Sequence, residues 1–186
     1  MIKAFKKDNE LLQDIADIDP IDRCVHLWWL GQSGYLILYN GKRILVDPYL
    51  SDSLTEKYRD TDKPHVRISE KVIDPSKLPS IDFITSSHNH TDHLDALTVN
   101  PVFTNSPLCK MIIPEANRSF VAQRLGIDAS KPIGLNAGEH FSTEDIQIHA
   151  IPAAHNTLDK NIKGQHPYLG YMICLGKLVI YHSGDT

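Results

Sequence analysis

The sequence predicts an α/β fold, and three stretches carry that prediction. CVHLWWL (24–30), GYLILYN (34–40) and KRILVDP (42–48) are short β-prone runs separated by Gly-x-x-Gly and Asn-Gly, the pattern of an antiparallel meander. CKMIIP (109–114) reads as a strand and EANRSFVAQRLG (115–126) as a helix, with Phe120, Val121, Arg124 and Leu125 at helical spacing and Gly126 as its stop. DIQIHAIP (145–152) alternates Ile146, Ile148 and Ala150 against Gln147 and His149, so it buries one face. Strands interleaved with helices in one chain define the α/β class.

The remaining elements follow in order. The N-terminus is polar and helix-compatible. Asn40-Gly41 lies between two apolar runs, and both residues tolerate the positive φ of a type I′ hairpin turn. Residues 50–80 are polar and proline-spaced, which predicts a long loop with little regular structure. IDFITSS (81–87) is an apolar strand running directly into HNHTDH (88–93), and a helix-compatible stretch begins at Leu94, so the histidine cluster falls on a strand-to-helix loop. YLGYMICL (168–175) and KLVIYHS (177–183) form a last hairpin ending on Gly184-Asp185. GYLILYNGKRILV (34–46) and GYMICLGKLVI (170–180) share Gly-Tyr, an apolar pair, a Gly-Lys turn and a second apolar strand, a short match that suggests duplication.

With 186 residues, of which 41% are apolar and 23% charged, the chain can bury a core without disulfides, and one globular domain over 1–186 is expected. A formal charge of -4 gives no global basic surface for neutralising phosphates, so a nucleic-acid partner is not expected. Charges interrupt every apolar run of the first 22 residues, leaving neither a signal-peptide core nor a membrane span. The expectation is a soluble, cytoplasmic protein acting on a small molecule, with homo-oligomerisation left open. Cys24, Cys109 and Cys174 are odd in number and lack a Cys-x-x-Cys spacing; they read as small hydrophobes rather than as a disulfide framework or a thiolate zinc site.

The chemistry is concentrated in His88, His90, Asp92 and His93. If the segment is extended, residues two apart project to one side, so His88 and His90 can present imidazoles to one ion. A turn into the following helix brings Asp92 and His93 to an adjacent position that can serve a second ion. His155, in Pro-Ala-Ala-His after a strand, is the best-placed third nitrogen, and Asp185 can bridge both sites. Imidazole suits zinc or iron, and the carboxylates admit manganese; one or two divalent ions are expected, zinc or manganese ahead of iron. The bland alternative is a polar loop with coincidental histidines, against which stand three histidines and an aspartate within six residues. His26, His65, His140, His149, His166 and His182 are assigned no ligand role, with His166 and His182 the nearest to substrate.

HNHTDH, a later lone histidine and Ser-Gly-Asp-Thr (183–186) resemble the His-x-His-x-Asp-His signature of the metallo-β-lactamase superfamily. WWLGQSGYLI (28–37), VDPYLSDS (46–53), SSHNHTDHLD (86–95) and YHSGDT (181–186) look most like the branch containing L-ascorbate-6-phosphate lactonase. The resemblance implies an αββα sandwich of two similar halves and a metal-dependent hydrolase, in which Asp92 orients or deprotonates the attacking water. Asp47, in Val-Asp-Pro, resembles the first motif of the family and is implied to hold the histidine loop; its other reading is a strand-end turn residue. Position 90 is His where the oxygen-reducing diiron flavoproteins have Glu, which favours hydrolysis over redox chemistry. A phosphorylated substrate would also need cations, for which Arg43, Lys57, Arg59 and Arg67 are candidates. Family members continue beyond the bridging aspartate through a second half that supplies another ligating histidine. Residues 1–186 are therefore expected to be the N-terminal half to two-thirds of a longer protein, truncated at its C-terminus. The rival readings are a phosphodiesterase or nuclease of the same fold and an inactive metal-binding half.

Overall fold

The computed structural model describes residues 1–19 and 21–186, which fall into two compact units: Met1–Asp82 with His90–Cys109, and Phe83–Asn89 with Lys110–Thr186. No helix among the described residues is long and apolar enough to cross a membrane.

The first unit is built on an antiparallel meander of β1 (His26–Gly31), β2 (Gly34–Tyr39) and β3 (Lys42–Val46). Leu36, Ile37 and Leu38 on the central strand are all buried, as are Ile44, Leu45 and Val46 on the next. Full burial of such side chains contributes about 1.5–3 kcal/mol each. The β2–β3 turn matches expectation: Tyr39 pairs with Lys42, and Asn40 and Gly41 have φ of 46° and 72°. The β1–β2 turn is tighter, with the register shifting between Trp29 and Gly31 and with φ of 90° at Gly31 and 50° at Gln32. Helix α1 (Asp8–Ala16) buries Leu11 and Ile15, and its Asp14 accepts a hydrogen bond from the Trp28 indole at 2.8 Å. The Lys6 ammonium, which donates to the same carboxylate, and then the indole bond hold the Asp14 carboxyl below its ordinary range.

Residues 50–80 are less featureless than the sequence suggests. They contain the short helix α2 (Ser53–Lys57) and a 3-10 turn at Pro75–Lys77. Arg67, read from sequence as a candidate for substrate phosphate, is instead a buried structural residue. Its guanidinium donates to the carbonyls of Ser69 (3.1 Å) and Ser51 (2.6 Å) and lies over the Tyr49 ring. Helix α3 (Ala96–Asn105) begins at Asp95, whose carboxylate accepts from Ser53 Oγ and Thr98 Oγ1, while Thr98 Oγ1 accepts from the Leu50 amide.

The second unit has two sheets. In one, β4 (Phe83–Thr85), β5 (Lys110–Pro114) and β6 (Ile133–Leu135) run parallel; helix α4 (Arg118–Leu125) joins the last two and ends at Gly126 with φ of 65°, the stop expected from sequence. In the other, β7 (His140–Ser142), β8 (Ile146–Pro152), β9 (Leu169–Leu175) and β10 (Leu178–His182) are antiparallel. The alternation expected for β8 holds: Ile146, Ile148 and Ala150 are buried. The β9–β10 hairpin has a two-residue loop with Gly176 at φ of 60°, so both halves of the internal sequence match are hairpins.

Gly31 is a sharp constraint on the first unit. Its φ is 90°, and a Cβ there would lie 2.6 Å from Ser69 Oγ. Gly31→Ala is expected to cost about 1–3 kcal/mol in urea denaturation. Adding Ser69→Ala should recover the contact part of that loss while leaving the backbone part. Stability equal to the parent in the single variant would show that neither constraint operates.

Candidate metal centre

The chain leaves β4 at Thr85 and enters bends and a turn, so the extended conformation expected over His88 and His90 does not form. What fixes the loop instead is backbone hydrogen bonding. The Ser86 amide donates to Ile112 O (3.0 Å), the Leu169 amide donates to Ser87 O (3.0 Å), and the Tyr171 hydroxyl donates to Ser86 O (3.0 Å). Ser86 Oγ donates to the carbonyl of His88 at 2.7 Å. β5 and β9 thus set residues 86–88, and His88 is buried at 1% exposure.

Within the second unit, His88, His155 and Asp185 come together. Nε2 of His88 lies 3.6 Å, and Nε2 of His155 3.9 Å, from the same Asp185 oxygen, Oδ2. These distances are too long for hydrogen bonds. They match the spacing of atoms sharing an ion: two ligands each about 2.0–2.1 Å from a tetrahedral ion are roughly 3.4 Å apart. Each histidine is thus paired with the Asp185 carboxylate at such a spacing, and imidazole and carboxylate are donors suited to a divalent cation. The Tyr168 ring sits beside both histidines, with centroids 5.2 Å from His88 and 5.7 Å from His155. Asp185 follows Gly184, whose φ is 65° and where a Cβ would meet Ser87 Oγ at 3.1 Å.

Within the first unit, His90, Asp92 and His93 lie on one turn, closed by the His93 and Leu94 amides donating to His90 O at 3.1 and 2.8 Å. The His93 ring is fixed by Asp47, with Nδ1 2.7 Å from Oδ2 and both side chains buried. A carboxylate only accepts, so Nδ1 carries the proton and Nε2 keeps its lone pair for a ligand. That Nε2 is 3.9 Å from Asp92 Oδ2, again an ion-sharing distance. Of the two sequence readings of Asp47, the positioning one has its partner. Asp47 also occupies the turn after β3, with φ of 42°.

Two contributors were not anticipated. Ser33 Oγ donates to Asp92 O at 2.8 Å and lies 3.3 Å from Asp47 O, linking the β1–β2 turn to the histidine turn. Its only sequence signal was a small polar residue in a Gly-x-x-Gly turn. Tyr168 carried none beyond being aromatic at the start of a strand. Of the other histidines, His149 stacks on His140 across β7 and β8, and His166 is buried with Nδ1 2.9 Å from Asp159 O.

The chain has recognisable relatives among known proteins. The chain is 26% identical over 164 residues to a UPF0173 metal-dependent hydrolase of Caldivirga maquilingensis, covering 87% of this chain and 60% of that protein. It is 34% identical over 171 residues to the N-acyl-phosphatidylethanolamine-hydrolyzing phospholipase D, mitochondrial, of Saccharomyces cerevisiae, covering 87% of this chain and 34% of that one. The chain thus spans about 60% or less of the length of these relatives. Among solved structures it shares its fold with a metallo hydrolase of Ignicoccus hospitalis (TM-score 0.56, 23% identity, 87% of this chain and 61% of the other). It also shares it with a diiron β-hydroxylase of Streptomyces venezuelae (TM-score 0.62, 20% identity, 90% and 31%). The family model described as the β-lactamase superfamily domain matches residues 26–186, so the chain belongs to the β-lactamase superfamily and its α/β fold is of the metallo-β-lactamase type.

Proposed function

We propose that this chain carries the metal centre of a metal-dependent hydrolase that acts on a small-molecule substrate through an activated water. The observation that carries the reading is the convergence of His88 Nε2 and His155 Nε2 on one oxygen of Asp185 at ion-sharing distances. His90, Asp92 and His93 complete the ligand set in this reading, because HNHTDH is one covalent run and His93 is already held with Nε2 as its donor atom. These residues would hold one or two divalent cations, zinc or manganese ahead of iron, which when bound would supply Lewis acidity toward a water near neutral pH. Asp47 keeps His93 in the ligating tautomer. Asp185 would share an ion with the imidazoles of its own unit, and Asp92 would orient the water or take its proton.

The electrophile is assigned first as a lactone carbonyl, from the motif resemblance of residues 28–37, 46–53, 86–95 and 181–186. A phosphodiester is the second reading, favoured by the yeast relative, whose name makes it a phospholipase D. A panel of uncharged lactones and generic phosphodiesters, assayed on metal-stripped and metal-restored protein, separates them. Turnover of lactones restored by metal supports the first, turnover of diesters the second, and turnover of neither at any metal loading overturns both.

His88→Ala and His155→Ala are expected to lose bound metal and hydrolysis together, whereas His149→Ala should change neither. Full metal content by elemental analysis in both ligand variants would sink the assignment. For Asp47→Ala, the loss of the acceptor on His93 Nδ1 is expected to weaken metal binding by about 10- to 100-fold in a competitive chelator titration. Unchanged affinity would remove the positioning role.

A further inference from the structure

A polar cavity lies in the second unit. It has a volume of about 400 Å³ and is lined by Asn136, Lys160, Lys163, Gln165 and His166, with Ala137 and Gly164. Every side chain in that set longer than alanine is polar, and two are ammonium groups. Neither lysine forms an ion pair among the described residues. The nearby carboxylates are turned to other partners: Glu139 Oε2 accepts from the Asn136 amide at 2.7 Å, and Asp159 Oδ1 accepts from Thr157 Oγ1 at 2.6 Å.

The segment that presents the lysines is shaped by its own hydrogen bonds. Asn161 Oδ1 accepts from the amides of Lys163 and Gln165 at 2.9 and 3.0 Å, and Asn161 O accepts from the Gly164 amide at 2.9 Å. The Lys163, Gly164 and Gln165 amides are thereby engaged within the turn. Gln165 Oε1 accepts from Asn161 Nδ2 at 3.0 Å, which leaves the Gln165 amide nitrogen as its outward donor. His166 is 8% exposed, and its Nδ1 donates to Asp159 O, so Nε2 is the ring atom left for a ligand.

We propose that this cavity is an oxyanion subsite that takes a small dianion of the phosphate monoester class. The two ammonium groups match the two charges of a dianion, the Gln165 amide adds a neutral donor, and a monoanion would leave cationic charge uncompensated. The cavity is also placed to serve the metal centre. His166 is two residues from Tyr168, within about 7 Å along the chain, and the Tyr168 ring lies beside His88 and His155. Anion binding stands on the cavity alone; that the anion is part of the hydrolysed substrate rests on the function proposed above.

The test is calorimetric titration of the protein with inorganic phosphate, methyl phosphate and dimethyl phosphate, following the His166 ring signals by NMR in parallel. Expected results are phosphate and methyl phosphate binding that perturbs His166, a loss of ten-fold or more in affinity in the Lys160→Ala/Lys163→Ala variant, and recovery in Lys160→Arg/Lys163→Arg. His88→Ala should leave phosphate affinity within about two-fold. Equal affinity in the parent and the double alanine variant would overturn the proposal. So would loss of binding in His88→Ala, which would put the phosphate on the metal centre, or dimethyl phosphate binding as tightly as methyl phosphate. If phosphate binding behaves as expected while no lactone or diester is hydrolysed, the subsite stands and the hydrolase reading falls.

Discussion

The hydrogen bond from His93 Nδ1 to Asp47 Oδ2 is the interaction on which the first unit's share of the site depends. Asp47 has no solvent exposure, and a carboxylate removed from water is tolerable only when its lone pairs are met. The partner it meets fixes the plane and tautomer of His93, so the cost of burying one charge is converted into orientation of a ligand. The same residue ends β3 in a left-handed conformation that a short polar side chain tolerates better than a bulky one. Ser33 then ties the β1–β2 turn to the carbonyl of Asp92. Strand end, meander turn and histidine turn are thereby tied together by the Asp47–His93 and Ser33–Asp92 hydrogen bonds.

The second unit reaches a comparable rigidity by a different route. His88 follows β4, His155 follows β8 and Asp185 follows β10, so three strand ends deliver the three groups. The register of β8, β9 and β10 determines where two of those ends emerge, since a slip of one residue would reverse every side chain of a strand. The loop bearing His88 is fastened through its backbone to β5 and β9. Ligand placement is thus a consequence of sheet register and main-chain bonding, and side-chain packing, as with Tyr168, only trims the ring orientations.

Features with a short-range cause were legible in the sequence. The Asn40-Gly41 turn, the Gly126 helix stop and the alternation of β8 each follow from the conformational range of one or two residues or from a period of two. The candidate ligands were legible because their residue types are clustered in HNHTDH and then recur at strand ends. The rest had long-range causes. β6 and β7 are three residues each, too short to show a period, and Gly134 in β6 is there because the Glu115–Arg118 pair packs where its Cβ would be. Arg67 looked like a surface cation, yet it is buried by carbonyls from Ser51 and Ser69, one of them 16 residues away. The partner of Asp47 is 46 residues distant, and nothing local announces it.

The character of the donor set bears on the kind of substrate. No thiolate belongs to it: Cys24 is exposed, Cys109 is buried, Cys174 is partly covered, and none lies among the candidate ligands. Four imidazoles and two carboxylates, those of Asp92 and Asp185, would carry two negative charges against the four positive charges of two divalent ions. In the function proposed above, such a centre would retain net positive charge and would favour anionic substrates. A carboxylate at position 90 would remove one unit of that charge and shift the balance toward holding oxidised metal. As a proposed ligand, His90 would then matter through charge as well as coordination, and the lysines of the cavity lined by Lys160 and Lys163 would carry the same sign of charge.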